Sequence, residues 1–445
     1  MKVALLTAGT RGDVQPFVAL GLALRRRGHD VLLCASREFE PFVRERGLDF
    51  APHRGDYSAL ARSEAGKRML AGNPFAVAKQ MQAVVKPMIR GMLDDLWLAT
   101  ADADALICHP KTIGGPDIAA ARGVPAFAAH PAPILAPTGA FTNPALPFAF
   151  GNRRLNEWSY AANRLMTFAF RDVVRAWRRE TLALPNRVRD VRSGAFEGGV
   201  ARGGSGEPPI LCGCSPSVVP YDPRWRGRVC MEGFWYLPEA DDWRPPEALA
   251  AFLAEGPPPV AIGFSSMPLK RPDAALAAIK DAVRRSGQRV IVLAGDSGMT
   301  DGTAAGVNAP GDALLIVREA PHDWLFPRTA GVVHHGGAGT TAAALKAGTP
   351  MVVCPFGGDQ PFWARRTAEL GVAAPPLRER DWSAERLAER LRALAGDARL
   401  RANALALAER VRAERGADET AAFVERWLEH SKKPPSPVGR RPLQW

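Results

Sequence analysis

Short apolar runs alternate with helix-like segments along most of this 445-residue chain, and that alternation limits the folds it can adopt. Strands separated by helices pair in parallel, because each helix returns the chain to the same end of the sheet. The sequence therefore predicts an α/β fold with helices on both faces of a parallel sheet. In the first half of the chain the strand-like runs occupy residues 3–7, 30–35, 105–108, 125–129 and 210–214.

The strand pattern restarts in the second half, so we predict two facing Rossmann-like domains with a cleft between them. The stretch between the two sets of runs is acidic and rich in Trp and Pro, as expected of a linker. Four prolines and four basic residues near the C-terminus predict a disordered tail. The predicted boundaries are an N-terminal domain at 1–235, a linker at 236–259, a C-terminal domain at 260–430 and a tail at 431–445.

The charge and the cysteine content indicate which partners and which cell compartment to expect. Lys and Arg number 58 against 46 Asp and Glu, which gives a net charge of +12. No basic stripe with stacking aromatics accompanies this charge, so we expect no nucleic-acid partner, while a peripheral contact with anionic lipid stays open. Several of the six cysteines fall in apolar runs, and neither a signal peptide nor an uncharged run of about 18 residues is visible. We therefore expect a cytoplasmic protein with reduced cysteines, of undetermined oligomeric state.

A histidine- and glycine-containing loop follows the run at 331–334, where it reads His-His-Gly-Gly-Ala-Gly-Thr-Thr. Ligands of open parallel sheets bind beyond the carboxyl ends of the strands. Small residues and the unpaired N–H groups of a helix start suit a pyrophosphate, although a plain strand-to-helix turn would use similar residues. The segment matches neither the dinucleotide fingerprint nor the Walker A loop. The predicted phosphate-binding residues are His334, Gly336, Gly337, Ala338, Gly339 and Thr340.

A second loop, after the run at 351–354, places a carboxylate beside an amide at Asp359 and Gln360. These side chains suit vicinal sugar hydroxyls, since Asp accepts hydrogen bonds and Gln both accepts and donates them. An Asx-type turn before a helix would explain the same residues without a ligand. Two further strand-end loops offer groups for the diphosphate, nucleobase and ribose: Ser265 and Ser266 in one, Pro321 and His322 in the other.

Asp13 is the candidate general base in the N-terminal half. It lies after the first strand, at a loop-to-helix junction that should face the cleft. Transfer to a hydroxyl needs a base within hydrogen-bond reach, but Asp is also favoured at helix starts, and one residue can serve both purposes. His53 and His130 are rivals as base or proton relay.

Together these segments resemble the inverting, GT-B-fold glycosyltransferases of the UDP-glycosyltransferase superfamily. The similarity is greatest to sterol 3-β-glucosyltransferases and to bacterial natural-product glycosyltransferases. It involves residues 9–16, 263–268, 321–327, 334–341 and 356–363, whose order and spacing extend over nearly the whole chain. The resemblance implies that the C-terminal half binds a sugar nucleotide and the N-terminal half binds the acceptor.

The resemblance also implies roles for single residues. His334 would hold the diphosphate, and Arg11 and Gly12 would contribute to the donor site. Asp13 matches the family's aspartate base, at a position where many relatives have histidine. An isolated carboxylate is a weaker base than imidazole, so we expect Asp13 to be buried or to have a partner that raises its pKa. Ser265 stands where relatives often have Gly.

Aromatic residues between 141 and 170 predict either a hydrophobic acceptor pocket or a membrane-facing lip, although ordinary helix core would show the same density. We expect a lipophilic acceptor such as a sterol, triterpenoid or polyketide. The candidate acceptor-binding residues are Phe141, Phe148, Phe150, Trp158 and Trp363.

The expected reaction is a single displacement that inverts the anomeric carbon, with UDP-glucose or a dTDP-sugar as co-substrate. We expect no bound cofactor and no essential metal, since no Asp-x-Asp cluster ends a strand-like run. Two other classes stay open. One is a UDP-sugar epimerase of the same fold, which needs no acceptor, and the other is a catalytically silent partner of another transferase.

Overall fold

The computed structural model describes residues 1–64, 74–184, 208–238, 243–265, 269–299 and 313–432. The predicted site residue Ser266, a part of the predicted linker and most of the predicted tail lie outside these ranges. Within them the predicted fold is confirmed, because the chain forms two parallel sheets with helices on both faces.

The first sheet has seven strands among the described residues, in the order β3-β2-β1-β4-β5-β6-β7, and every neighbouring pair is parallel. Its strands are β1 Lys2–Leu6, β2 Asp30–Ser36, β3 Asp49–His53, β4 Ala105–Cys108, β5 Ala126–His130, β6 Ile210–Cys212 and β7 Val229–Cys230. The α-helices of this half are α1 Arg11–Arg26, α2 Glu40–Arg44, α3 Tyr57–Arg62, α4 Pro74–Gln80, α5 Lys86–Ala99, α6 Gly115–Arg122, α7 Arg153–Ser159, α8 Ala162–Phe168 and α9 Arg171–Glu180.

The second sheet has six described strands in the order β10-β9-β8-β11-β12-β13, again all parallel. Its strands are β8 Val260–Gly263, β9 Val290–Leu293, β10 Leu314–Val317, β11 Gly331–His334, β12 Met351–Val353 and β13 Ala373–Ala374. The α-helices of this half are α10 Glu247–Ala254, α11 Pro272–Ser286, α12 His322–Leu325, α13 Ala338–Ala347, α14 Gln360–Glu369, α15 Ala384–Gly396, α16 Ala398–Ala413 and α17 Gly416–Lys432.

Each sheet is buried on both faces, which explains why its strands are apolar throughout rather than alternating. In β1, Val3 and Leu5 belong to one hydrophobic cluster and Ala4 and Leu6 to the cluster on the opposite face. This alternation is the two-residue period of a strand. All six cysteines are buried and free.

The final helix returns to the first sheet. Helix α17 packs on α1, and the Trp427 ring meets the Phe127 ring of β5 edge to face at 5.1 Å. Arg26 of α1 also forms an ion pair with Asp418, at 2.6 Å. The end of the predicted C-terminal domain therefore contributes to the core of the N-terminal half, while the exact domain boundaries stay a prediction.

Among the described helices, none combines the length and the apolar character that crossing a bilayer requires.

Candidate active site

A cavity of about 580 Å³ lies between the two halves of the molecule. Its walls come from the α1 start on one side and from the loops after β8, β9, β10 and β11 on the other. The sequence analysis placed the donor site on three of these loops, those after β8, β10 and β11, and also on the loop after β12, whose Asp359 and Gln360 are not among the residues that line this cavity. The predicted donor-binding residues that line the cavity are Arg11, Gly12, Ser265, Pro321, His322, His334, Gly337, Ala338, Gly339 and Thr340.

The β11–α13 connection forms an anion-binding surface in this cavity. Helix α13 begins at Ala338, and Gly337 is its N-cap, so the first N–H groups of the helix have no partner within it. Gly336 has φ +90°, and a Cβ there would lie 2.5 Å from Val353 Cγ1, so only glycine fits. Gly336 therefore shapes the loop rather than lining the cavity, while the helix start is a site for a phosphate group.

The two adjacent histidines have different surroundings. The His334 ring is buried; its Nδ1 accepts from the Gly336 N–H at 3.1 Å, and its Nε2 lies 3.4 Å from Met351 Sδ. The His335 ring lines the cavity, and its Nδ1 has no hydrogen-bond partner among the described residues. Both rings line the cavity, so the expectation that His334 holds the diphosphate stays a prediction, and His335, whose Nδ1 is buried without a partner among the described residues, is a second candidate.

Both imidazoles are neutral at pH 7. Burial lowers the pKa of His335 to about 4, with a smaller contribution from the charge of His322. Burial also lowers the pKa of His334 well below its usual value, followed by the charges of His335 and His322. A neutral His335 still donates one N–H, so it can bind phosphate without needing a proton from solvent.

The loop after β12 holds the predicted sugar-binding pair. Asp359 Oδ2 accepts from the Trp363 Nε1–H at 2.7 Å. Gln360 Oε1 accepts from the backbone N–H groups of Phe356 and Gly357 at 2.7 and 3.1 Å, which leaves its NH₂ group to donate. Desolvation raises the pKa of Asp359, the Trp363 hydrogen bond opposes it, and the Asp13 charge adds to it. The Lys111 charge lowers the pKa of Asp359, so Asp13 and Lys111 of the first half both lie within electrostatic range of this carboxyl group.

Asp13 is held by three neighbouring groups. Lys111 Nζ lies 2.9 and 2.8 Å from its two oxygens, and the Thr10 N–H donates to Oδ2 at 2.8 Å. His109 Nε2 lies 3.4 Å from Oδ1. Desolvation raises the pKa of Asp13, but the positive charge of Lys111 outweighs it, together with the hydrogen bonds from Lys111 and Thr10, and lowers the pKa to about 2. The expectation of a raised pKa is therefore wrong.

Lys111 and His109 were missed by the sequence analysis. They flank Pro110 in the loop directly after β4, the neighbour of β1 in the sheet. The rule that strand-end loops carry the chemistry would have found them, because β4 ends at the same edge as β1.

The two rival histidines differ from each other. His53 is buried, its Nε2 lies 2.8 Å from the Thr7 carbonyl and its Nδ1 accepts from the Gly55 N–H at 3.1 Å. Both nitrogens are engaged, which corrects the assignment of His53 as a base. His130 stacks on His109 with ring centroids 4.9 Å apart. Burial lowers the pKa of His130 to about 4, partly offset by the charge of Asp13, so this ring is neutral at pH 7.

The predicted acceptor-binding aromatics do not form a single cluster, although the Phe148 and Phe150 rings meet edge to face with centroids 5.2 Å apart. Trp363 is fully buried and serves to hold Asp359, which corrects its assignment as an acceptor wall. Phe141 reaches across to the second half, where its ring contacts the Phe362 ring at 5.1 Å. The remaining three, Phe148, Phe150 and Trp158, do not line the 580 Å³ cavity.

Within the described ranges no group of three His, Cys, Asp or Glu residues is arranged to hold a metal ion. Metal independence stays a prediction.

Comparison with known proteins gives the family. Residues 3–135 match the glycosyltransferase family 28 N-terminal domain, and residues 290–426 match the erythromycin biosynthesis protein CIII-like C-terminal domain. The chain is 34% identical to O-mycaminosyltylonolide 6-deoxyallosyltransferase of Streptomyces fradiae, over 96% of this chain and 98% of that protein. The chain belongs to the GT-B-fold glycosyltransferases.

Further relatives of this glycosyltransferase include sterol 3-beta-glucosyltransferases. It is 33% identical to one from Arabidopsis thaliana and to one from Emericella nidulans, in each case over 97% of this chain. The chain spans 66% of the Arabidopsis protein and 30% of the Emericella protein. The fold is similar to the kitacinnamycin glycotransferase (TM-score 0.68, 18% identity) and to VinC in complex with dTDP (TM-score 0.63, 21% identity). These comparisons cover 96% and 97% of this chain and 99% and 100% of those chains.

The ion pair at Asp13 generates a prediction about this glycosyltransferase. We expect Lys111→Met to raise the pKa of Asp13 from about 2 to above its usual value of 3.8, because desolvation then acts without the opposing ammonium group. The stability that the pair contributes is present above pH ~4 and is lost as the pH falls through the folded pKa near 2. NMR titration of ¹³C-labelled Asp carboxyls measures the pKa, with Asp13→Asn assigning the signal.

Lys86→Met is the matched control, because it breaks the Lys86–Asp172 ion pair on another part of the domain. An Asp13 that titrates near its usual pKa in the unmodified protein, or is unmoved by Lys111→Met, would contradict the geometry described above.

The histidine assignment generates a second prediction. We expect His335→Gln to weaken UDP or dTDP binding about 10- to 100-fold, the effect of one lost hydrogen bond to a charged group. Calorimetric titration measures the affinity, and His430→Gln on α17 is the control. An unchanged affinity in His335→Gln would mean that His335 does not contact the nucleotide.

Proposed function

We propose that this glycosyltransferase moves a hexose to a hydroxyl of a lipophilic acceptor with inversion at the anomeric carbon. Glucose from UDP-glucose is the first candidate. The observation that carries the proposal is the pairing of two functional edges across one cleft. Asp13 and Lys111 stand at the edge of the first sheet, and a helix start, His335 and Asp359 stand opposite. The start of α1, which contains Asp13, and the start of α13 with His335 line the same cavity.

In the proposed complex the donor diphosphate lies at the start of α13. The N–H groups of its first turn and the His335 N–H stabilise the negative charge that grows on the diphosphate as it leaves. Asp359 accepts from sugar hydroxyls, and the Gln360 NH₂ group donates to them. Trp363 and the Phe356 and Gly357 N–H groups hold these two side chains in place before the donor arrives.

Asp13 is the proposed base. Its carboxylate takes the proton of the acceptor hydroxyl while the new C–O bond forms and the bond from the anomeric carbon to the diphosphate breaks. A carboxylate of low pKa accepts that proton late, when the attacking oxygen has already become acidic. Thr10 and Lys111 fix the orientation of the carboxylate, and His109 and His130 are neutral rings beside it.

A dTDP-linked deoxysugar is the second candidate donor. The Streptomyces fradiae relative, which has nearly the same length as this chain, is named for deoxyallosyl transfer, and VinC binds dTDP. The sterol glucosyltransferase relatives favour glucose and a sterol-like alcohol. Side-by-side assays with UDP-glucose and dTDP-glucose against pooled sterols and macrolides, read by mass, separate the two candidates.

The decisive experiment measures sugar-nucleotide turnover with and without the lipophilic alcohols. We expect release of the nucleoside diphosphate to depend on the acceptor. Asp13→Asn should lower turnover at least about 1,000-fold and retain donor affinity, since only the proton acceptor is removed. Asp172→Asn, which changes a carboxylate of the α9 ion pair, is the control.

Interconversion of the sugar nucleotide without any alcohol would indicate an epimerase instead. Donor binding without turnover of any alcohol would indicate a silent partner protein. Unchanged turnover in Asp13→Asn would move the base to another residue.

A further inference from the structure

Four large apolar side chains between residues 148 and 168 are exposed. Trp158 exposes 70% of its surface, Phe168 53%, Phe148 49% and Leu155 45%. The rest of the described chain contributes the same number of exposed large hydrophobics, spread from residue 84 to residue 405. A concentration of aromatic surface in one short stretch is a feature of binding surfaces.

Helix α7 has its polarity reversed relative to an ordinary surface helix. Its apolar residues Leu155 and Trp158, three apart and therefore on one side, are exposed. Its polar residues Asn156 and Ser159 are buried. The exposure of Leu155 and Trp158 therefore follows from the orientation of the helix.

Hydrogen bonds fix this reversed orientation. Asn156 Oδ1 accepts from the Thr142 hydroxyl at 2.6 Å, and its Nδ2 donates to the Gly139 carbonyl at 3.0 Å. Ser159 Oγ accepts from the Asn143 N–H at 2.8 Å. Because buried polar groups are costly to leave unpaired, these bonds resist rotation of α7 that would hide Trp158.

The charges beside these apolar side chains are positive. Arg154 lies on the Trp158 side of α7 and is exposed, and Arg153 exposes 76% of its side chain. The Arg171 guanidinium stacks over the Phe168 ring at 3.9 Å. The one carboxylate of α7, Glu157, forms ion pairs with Arg224 at 2.9 Å and with Arg153 at 3.9 Å. Aromatic rings between arginines match an anionic bilayer surface, where rings enter the headgroup region and guanidinium groups meet lipid phosphates.

We propose that the α7 face, defined as Arg154, Leu155 and Trp158, docks on the surface of anionic phospholipid bilayers, with the exposed rings of Phe148 and Phe168 in the same stretch as further contacts. Charge complementarity favours lipid over a second copy of this chain, because a symmetric contact would bring the same arginines together. Docking itself is independent of the proposed reaction. If that reaction is also correct, the α7 face would take a lipophilic acceptor from the bilayer, since the same segment reaches the second half of the molecule where Phe141 packs on Phe362.

Co-sedimentation of the full chain with vesicles tests the proposal. We expect binding to phosphatidylcholine vesicles that contain 30% phosphatidylglycerol, and about tenfold weaker binding or less to phosphatidylcholine alone. Leu155→Ser combined with Trp158→Ser should weaken binding to the anionic vesicles at least about tenfold, and Arg154→Glu should weaken it about fivefold or more, with the effect fading at high salt. Leu98→Ser combined with Leu405→Ser is the control, since it removes two equally exposed leucines elsewhere.

Thermal unfolding of each variant checks the fold, which should be unaffected because the altered side chains are exposed. Failure of the unmodified protein to bind the anionic vesicles, or equal binding to both vesicle types, would overturn the proposal. Equal loss in the control pair would overturn it as well. A dimer in sedimentation velocity that only the α7 variants abolish would assign this face to a second copy of the chain instead. None of these outcomes depends on sugar transfer, so they are separate from the test of the proposed reaction.

Discussion

Parallel strand pairing is the constraint on which the rest of this structure depends. Every strand pair in the described parts of both sheets is parallel, so within each sheet all strand ends of one kind lie along one edge. Residues far apart in sequence meet for this reason. Asp13 follows β1 and Lys111 follows β4, 98 positions later, yet their charged groups are 2.8 Å apart. The second sheet assembles the start of α13 and Asp359 at its own edge in the same way.

The electrostatics of the cleft follow from that arrangement. Asp13 carries its negative charge in a partly buried position, because Lys111 compensates the desolvation. The neighbouring histidines on both walls are neutral, since burial lowers the pKa of each. In the proposed complex the N–H groups at the start of α13 are fixed before the ligand arrives, so they need no reorganisation as charge develops on the leaving group.

Much of this could be predicted from the sequence. Apolar runs separated by helix patterns indicated both sheets, and the strand-end loops indicated ten of the residues that line the cavity. Side-chain direction could not be predicted. His334 and His335 are adjacent, and only the structure shows that the first contacts Gly336 and Met351 while the Nδ1 of the second is buried without a partner among the described residues. The directions of the His53 and Trp363 side chains could not be predicted either, and the polar atoms of both are hydrogen-bonded within the protein.

Other features depend on contacts that no local pattern encodes. The packing of α17 on α1 joins residues about 400 positions apart. The pKa of Asp13 depends on Lys111, and no motif around Lys111 indicates that it pairs with Asp13. In the sequence, the reversed polarity of α7 shows only as a high density of aromatic residues. Periodicity alone does not distinguish an exposed apolar face of a helix from a buried one.

The central claim is a single displacement in which a hydroxyl, deprotonated by Asp13, attacks the anomeric carbon from the side opposite the diphosphate. The anomeric configuration of the product tests this claim most directly. NMR of the glycoside made from an α-linked sugar nucleotide should show a β-linkage. An α-linked product would contradict the account, because retention requires either a second displacement or attack from the diphosphate side, and neither fits a base placed across the cleft from the donor loops.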